Sequence, residues 1–245
     1  MCRHLAYLGP PVSLATLLFE PPHSLVRQSW APRQQTHGTV NADGFGVGWY
    51  SPSARPEPAR YRRAGPIWAD RSLASLAGVV FSGAVMAAVR SATPPAPAEE
   101  SGAAPFVSDR WLFSMNGAVS GGQPAVAGLR RRLSDGRLAA IEGSSDSEVV
   151  FGLVLDALDA GCSPSSALAG VVRSVPGRLN LLLTEGQQIW ATAWGDSLSV
   201  LCRHEGVVVA SEPFDDERDW TPVPDRSLVV ASGGACRINP LEEAG

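Results

Sequence analysis

From Arg178 to Ala231 the chain breaks into short apolar runs separated by turn residues, and this rhythm constrains the fold more than any other feature. The runs Leu179–Leu183, Ile189–Trp194, Leu198–Cys202, Val207–Ser211 and Leu228–Ala231 each have the length of a strand. Glu185–Gly186 and the segment from His204 to Gly206 read as hairpin turns between them. Towards the other end, Cys2–Leu8 and Phe45–Tyr50 read as strands, Arg55–Arg63 as a loop leading into a strand, and Val79–Val89 as a buried strand. Trp111–Met115 reads as a strand that closes on the turn pair Asn116–Gly117. Helices lie among them. Ser13–Phe19 is a brief one stopped by Pro21 and Pro22, and Asp70–Gly78 places Leu73, Leu76 and Ala77 on one side. Asp146–Gly161 is the clearest, with Asp146 as N-cap, Val149, Val150, Leu153 and Leu158 on its apolar face, and Gly161 at its end. Ser91–Pro105, rich in Pro, Ala and Glu, reads as an exposed loop. Strands at both ends with helices mid-chain predict an α+β fold, one domain over residues 1–245, rather than repeated βαβ units.

Composition narrows the chemistry. With 44% hydrophobic residues the chain can bury a substantial core. Val79–Val89, interrupted by Ser82 and Gly83, is too short to span a bilayer. No basic segment followed by an apolar block opens the chain, so a cytoplasmic protein without membrane contact is expected. All 20 basic residues are arginine, which excludes a lysine Schiff base or a P-loop lysine. The arginine clusters at 60–63 and 130–132 are short, and the net charge is −4, so no nucleic-acid partner is expected. Four widely spaced cysteines, Cys2, Cys162, Cys202 and Cys236, read as reduced thiols.

Cys2 has an unusual address. Removal of Met1 makes it the N-terminus and puts a thiol and an α-amine on one residue. An α-amino group titrates at about 7.7–8.0 and accepts a proton near neutrality. Such a cysteine supplies nucleophile and base together; the alternative is an incidental small residue. An amide hydrolase working through a thioester also needs oxyanion donors, and Asn116–Gly117 offers a side-chain amide and an unencumbered N–H, if it is more than an ordinary turn. Arg90, at the end of a buried strand, needs an anion, either a substrate carboxylate or an internal partner. Asp146 serves as a helix cap, an ammonium ligand, or both.

Two other readings compete. Gly44, Gly46 and Gly48 alternate with Phe45, Val47 and Trp49, which is a strand with one bare face open to close approach, and not a dinucleotide loop opening a helix. Cys2-Arg3-His4 and Cys202-Arg203-His204 repeat one triplet and together present a Cys2His2 set, though with spacing atypical of structural zinc. The expectation is no metal and no cofactor.

Cys2, Arg90, Asn116–Gly117 and Asp146, in that order, resemble the class II glutamine amidotransferases of the N-terminal-nucleophile hydrolase superfamily. The motifs are Met1-Cys2-Arg3-His4-Leu5, Asn41-Ala42-Asp43-Gly44, Ala88-Val89-Arg90-Ser91-Ala92-Thr93, Ser114-Met115-Asn116-Gly117, Arg178-Leu179-Asn180, Trp194-Gly195-Asp196 and Ala210-Ser211-Glu212-Pro213. Within that family the similarity runs to the γ-glutamyl hydrolases of ergothioneine biosynthesis. The resemblance implies a four-layer αββα sandwich of two stacked antiparallel sheets. It implies cleavage of γ-glutamyl-hercynylcysteine sulfoxide to glutamate and hercynylcysteine sulfoxide through a Cys2 thioester. Asn116 and Gly117 would hold the oxyanion, Arg90 the glutamyl α-carboxylate and Asp146 its α-ammonium. No obligatory protein partner is implied.

The chain departs from the family where Met115 replaces the histidine usual before Asn-Gly, and where Ser91 replaces an aromatic after the arginine. The leaving group's trimethylammonium suits an aromatic cage, with Trp30, Trp49, Tyr50 and Trp68 as candidates. The competing functions are a glutaminase subunit that feeds ammonia to a synthase and a non-catalytic binding module on the same fold.

Overall fold

The computed structural model describes residues 2–92 and 98–241. Thirteen strands are described: β1 (Arg3–Ser13), β2 (Phe45–Trp49), β3 (Ala59–Arg63), β4 (Phe81–Val89), β5 (Phe106–Ser108), β6 (Trp111–Val119), β7 (Gly177–Thr184), β8 (Ile189–Ala193), β9 (Ser199–Arg203), β10 (Gly206–Ala210), β11 (Thr221–Pro222), β12 (Ser227–Ser232) and β13 (Ala235–Pro240). They form two antiparallel sheets, β11-β9-β10-β1-β4-β2-β3 and β13-β12-β8-β7-β6-β5. Helices α1 (Leu14–Leu18), α2 (Leu25–Gln28) and α3 (Arg71–Ala77) cover the first sheet, and α4 (Gly122–Arg130), α5 (Asp135–Ala139), α6 (Asp146–Asp159) and α7 (Pro164–Ser174) lie on the side of the second. The result is the expected α+β sandwich.

Period-two alternation builds its layers. On β1, Leu5 and Tyr7 enter the core under α1–α3, while Ala6 and Leu8 enter the space between the sheets. On β6 and β7, Phe113, Met115, Leu179, Leu181 and Leu183 face α4–α7, and Leu112 and Leu182 face inward. The bare face of β2 is used as expected. A Cβ on Gly46 would stand 2.5 Å from the Ala104 carbonyl oxygen, and one on Gly48 2.7 Å from a Leu112 methyl. Close approach of the chain itself, rather than of a ligand, explains those glycines.

Several local expectations give way to tertiary pairing. Asn116–Gly117 is not a turn, because β6 runs through it to Val119, with Asn116 opposite Asn180 and Gly117 opposite Leu179. Ser145, not Asp146, caps α6, accepting from the Ser147 N–H. The buried strand begins at Phe81, and Val79 and Phe81 are exposed. The segment read as an exposed loop is partly packed: Gly102, Ala103 and Pro105 are buried, and residues 93–97, with Thr93 of the arginine motif, lie outside the described ones, as does Met1. Helices α2, α4, α5 and α7 and strands β5, β11 and β13 have no counterpart in the sequence reading.

The cysteines also differ from the reading as four thiols. Cys202 and Cys236 form a disulfide, with Cα atoms 6.4 Å apart, while Cys2 and Cys162 are free. Cys202 lies on β9 of one sheet and Cys236 on β13 of the other, so only the stacking of the sheets brings them together.

Candidate active site

Cys2 immediately precedes β1, and Arg3 pairs with Val89, the last residue of β4. Cys2 and Arg90 therefore emerge side by side from neighbouring strands. Opposite them, β6 brings Gly117, and the first residue of α6 is Asp146. Cys2, Arg90, Gly117 and Asp146 line one cavity of about 110 Å³, closed by Gly102, Ala104, Phe106 and Val119 among others. Asn116 lies fully buried beside it, and among the described residues neither its Nδ2 nor its Oδ1 has a hydrogen-bond partner. A buried amide left unpaired costs stability unless something else engages it.

Arg90 and Asp146 are held from behind. The Arg90 backbone is locked to the 43–44 segment, its N–H donating to the Gly44 carbonyl (2.7 Å) and its carbonyl accepting from the Asp43 N–H (2.9 Å). Asp43 Oδ2 accepts from the Ala92 N–H (2.8 Å), and the Arg90 guanidinium reaches the Asp43 carbonyl at 3.3 Å. That guanidinium lies against Gly102, where a Cβ would stand 2.8 Å from its central carbon. Asp146 accepts the Val119 N–H on Oδ2 (2.9 Å) and the Ser147 N–H on Oδ1 (2.8 Å), which ties the end of β6 to the start of α6. At Gly117 φ is +140°, and any Cβ there would overlap the Arg178 carbonyl oxygen, so only glycine fits.

Beneath Cys2 lies a charged layer that the sequence did not announce. Arg3 and Glu212 are both fully buried and 3.6 Å apart. Burial pulls the Arg3 guanidinium below its usual range, and Glu212, Asp196 and Cys2 oppose that pull. Glu212 also accepts the Arg33 N–H (2.9 Å) and the Gln34 N–H (2.8 Å), fastening the segment before Asn41. Asn180, across the ladder from Asn116, is saturated: Nδ2 donates to the Asp196 and Ser197 carbonyls, and Oδ1 accepts from the Trp194 N–H at 2.7 Å. A full set of bonds distinguishes this structural asparagine from its orphaned neighbour. The quoted motifs Met1-Cys2-Arg3-His4-Leu5, Arg178-Leu179-Asn180, Trp194-Gly195-Asp196 and Ala210-Ser211-Glu212-Pro213 contain these positions without assigning them a role.

Met115 points into the core under the helices, so no ring stands before the Asn-Gly pair. An imidazole reaches the inner face from β1 instead. His4 is fully buried, its Nδ1 lies 3.0 Å from Ser114 Oγ, and its Nε2 has no partner among the described residues. Burial, with Arg3 adjacent, pushes it down to about 3, so it is neutral.

The two Cys-Arg-His triplets do not combine. Cys202 is bonded to Cys236, and among the described residues no group of three or more His, Cys, Asp or Glu is placed to hold a metal. Of the aromatic candidates, Tyr50 is buried with its hydroxyl between the Arg110 and Thr184 carbonyls, and Trp49 packs under the helices. Trp30 and Trp68 form an exposed edge-to-face pair, with ring centroids 5.6 Å apart. None of the four lines the Cys2 cavity.

The family model for class-II glutamine amidotransferases matches residues 14–206. The chain belongs to the class II glutamine amidotransferases. Among its amidotransferase relatives, a γ-glutamyl-hercynylcysteine sulfoxide hydrolase of Mycolicibacterium smegmatis is 44% identical over 98% of this chain and 100% of its own length. One of the same name from Mycobacterium tuberculosis is 39% identical over 100% of this chain and 98% of its own. Among solved structures, a class-II glutamine aminotransferase domain protein from Silicibacter pomeroyi superposes with a TM-score of 0.71 at 26% identity, covering 98% of this chain and 100% of its own. No helix among the described residues of this amidotransferase is long and apolar enough to cross a membrane.

Proposed function

We propose that this amidotransferase-family chain is a stand-alone γ-glutamyl hydrolase. It cleaves γ-glutamyl-hercynylcysteine sulfoxide to glutamate and hercynylcysteine sulfoxide. The active form is residues 2–245, one domain with Cys2 as its N-terminus, working in the cytoplasm without an obligatory protein partner. The observation that carries this reading is the convergence of Cys2, Arg90, Gly117 and Asp146 on one cavity beside the unpaired Asn116 amide. The full-length similarity to hydrolases of that name supports the choice of substrate.

The chemistry follows from the donors present. Arg90 binds the glutamyl α-carboxylate and Asp146, on lone pairs left by its two backbone bonds, the α-ammonium. The γ-carbonyl then faces Cys2. Its sulfur attacks the carbonyl carbon while the thiol proton passes to the Cys2 α-amine, and negative charge gathers on an oxygen received by the Asn116 amide and the Gly117 N–H. The C–N bond breaks as the α-amine returns the proton to the departing cysteinyl nitrogen. Water then hydrolyses the thioester, with the same amine as base, and glutamate leaves.

Glutamate release measured by mass spectrometry from the sulfoxide conjugate and from L-glutamine, with wild type and Cys2→Ala, tests this. Release from the conjugate far above glutamine, abolished by the substitution, is the expected result. A preference for glutamine would replace the reading with a glutaminase subunit, and turnover of neither, in protein shown to begin at Cys2, would refute catalysis.

A further inference from the structure

The Cys2 cavity lies on one flank of the reacting centre only. In the second sheet β6 sits between β5 and β7, and in the first β1 sits between β4 and β10. Apart from Cys2 itself, every cavity residue beyond β6 and the start of α6 belongs to the β4–β5 flank or to α4. Since β4 and β1 both lie over β6, with β1 also over β8 and β10 over β12 and β13, the opposite flank is the one bounded by β10 and β7. A γ-glutamyl group in the cavity has its carbonyl at Cys2, so its leaving half is directed to that opposite flank.

Arg178 stands there. It lies on β7 opposite Ala118, on the same face as Asn180 and Asn116, so its Cα is about 5 Å from that of Ala118. The side chain is built into place. Gly195, at φ +89°, leaves room for its stem, since a Cβ would stand 2.9 Å from Arg178 Cγ. Its Nε lies 3.4 Å from Oδ2 of Asp196, whose side chain is 1% exposed, whereas that of Arg178 is 36% exposed. The two terminal nitrogens make no hydrogen bond or ion pair among the described residues. One edge of the guanidinium is thus ion-paired with a buried carboxylate, while the side chain as a whole stays 36% exposed on the strand that bounds this flank. A planar pair of N–H donors fits a carboxylate.

We propose that Arg178 is the receptor for the α-carboxylate carried by the leaving amine, and that Asp196 is its positioning residue. The assignment rests on the hydrolase reading above and extends it to a substrate class, γ-glutamyl amides of α-amino acids. In these the carboxylate is attached to the carbon that bears the departing nitrogen. Glutamine, which releases ammonia, presents nothing to Arg178.

The test compares kcat/KM for glutamate release from γ-glutamyl-hercynylcysteine sulfoxide and from the analogue in which only the cysteinyl α-carboxylate is a carboxamide. Wild type, Arg178→Gln and Arg178→Lys are measured, each with a thermal melt. Wild type should favour the carboxylate about 10- to 100-fold, the strength of a charge-assisted contact. In Arg178→Gln that ratio should fall towards one, and in Arg178→Lys to an intermediate value. If the Gln variant fails to fold, the ratio in the Lys variant decides. An unchanged ratio, or an equal loss on both substrates, overturns the assignment and leaves the hydrolase reading standing. Wild type that hydrolyses neither conjugate overturns both.

Discussion

Gly102→Ala tests whether Arg90 is held where a glutamyl carboxylate needs it. The added methyl would stand 2.8 Å from the guanidinium carbon and 2.9 and 3.1 Å from its terminal nitrogens. Carbon atoms in contact settle at about 3.5–4.0 Å. The guanidinium must therefore retreat by roughly 1 Å from the position in which it contacts the Asp43 carbonyl. The backbone need not move, because the atoms displaced are the tip of a flexible side chain, and Gly102 does not require a positive φ. The cost to stability should stay below about 1 kcal/mol, or 2–4 °C in melting temperature. The cost to function should be larger, since a misplacement of about 1 Å in a positioning contact can lower activity 10²-fold. We expect kcat/KM for the conjugate to fall about 10- to 100-fold, mostly through KM, because the lost contact binds ground state and transition state alike. Gly65→Ala, with nothing within 4 Å of the new carbon, is the matched control. Steady-state glutamate release with melting curves on the same preparations gives the answer. A folded Gly102→Ala enzyme with wild-type KM would refute the role given to Arg90.

The two facing asparagines should separate function from structure. Asn116→Ala should lower kcat by about 10²–10³ with little loss of melting temperature, because its amide has no bond to lose; Asn180→Ala should destabilise by about 2–3 kcal/mol through its three bonds. Glu212→Ala should cost about 3–5 kcal/mol in urea unfolding, by taking from the buried Arg3 guanidinium the carboxylate 3.6 Å away. His4 contributes acid sensitivity. Its folded value is about 3 against 6.5 for a free imidazole, so the unfolded chain binds the extra proton and stability falls as pH drops from 6.5 towards 3. The slope from this group is about 1.4 kcal/mol per pH unit, and urea unfolding of His4→Gln across that range should show a shallower loss than wild type.

Much of the fold was legible because its signals are local. The hairpins at Glu185–Gly186 and at His204 and Gly206 join β7 to β8 and β9 to β10 as expected, since a turn is written in the few residues that make it. The alternation of glycine with Phe45, Val47 and Trp49 on β2 announced a two-faced strand from the sequence alone. Cys2, Arg90, Asn116, Gly117 and Asp146 could be singled out as candidates from residue type and address, because nucleophile, cation, amide and carboxylate each carry their chemistry in the residue, and the resemblance to the class II amidotransferases supplied their expected roles.

Tertiary structure decided the rest, for reasons that sequence neighbours do not encode. Asn-Gly favours a turn, yet the ladder to Asn180 and Leu179 carries β6 straight through it, the gain from pairing outweighing local preference. The same ladder leaves Asn116 unpaired and Asn180 saturated, a difference invisible in two residues of one type. Arg3 meets Glu212, and Cys202 meets Cys236, only because distant strands become neighbours or the two sheets stack. Whether an arginine lies over a glycine, as Arg90 does over Gly102, or stands with one edge anchored, as Arg178 does beside Asp196, depends on packing from elsewhere in the chain. Local chemistry determined which groups could act, and long-range contact determined which are held in a position to do so.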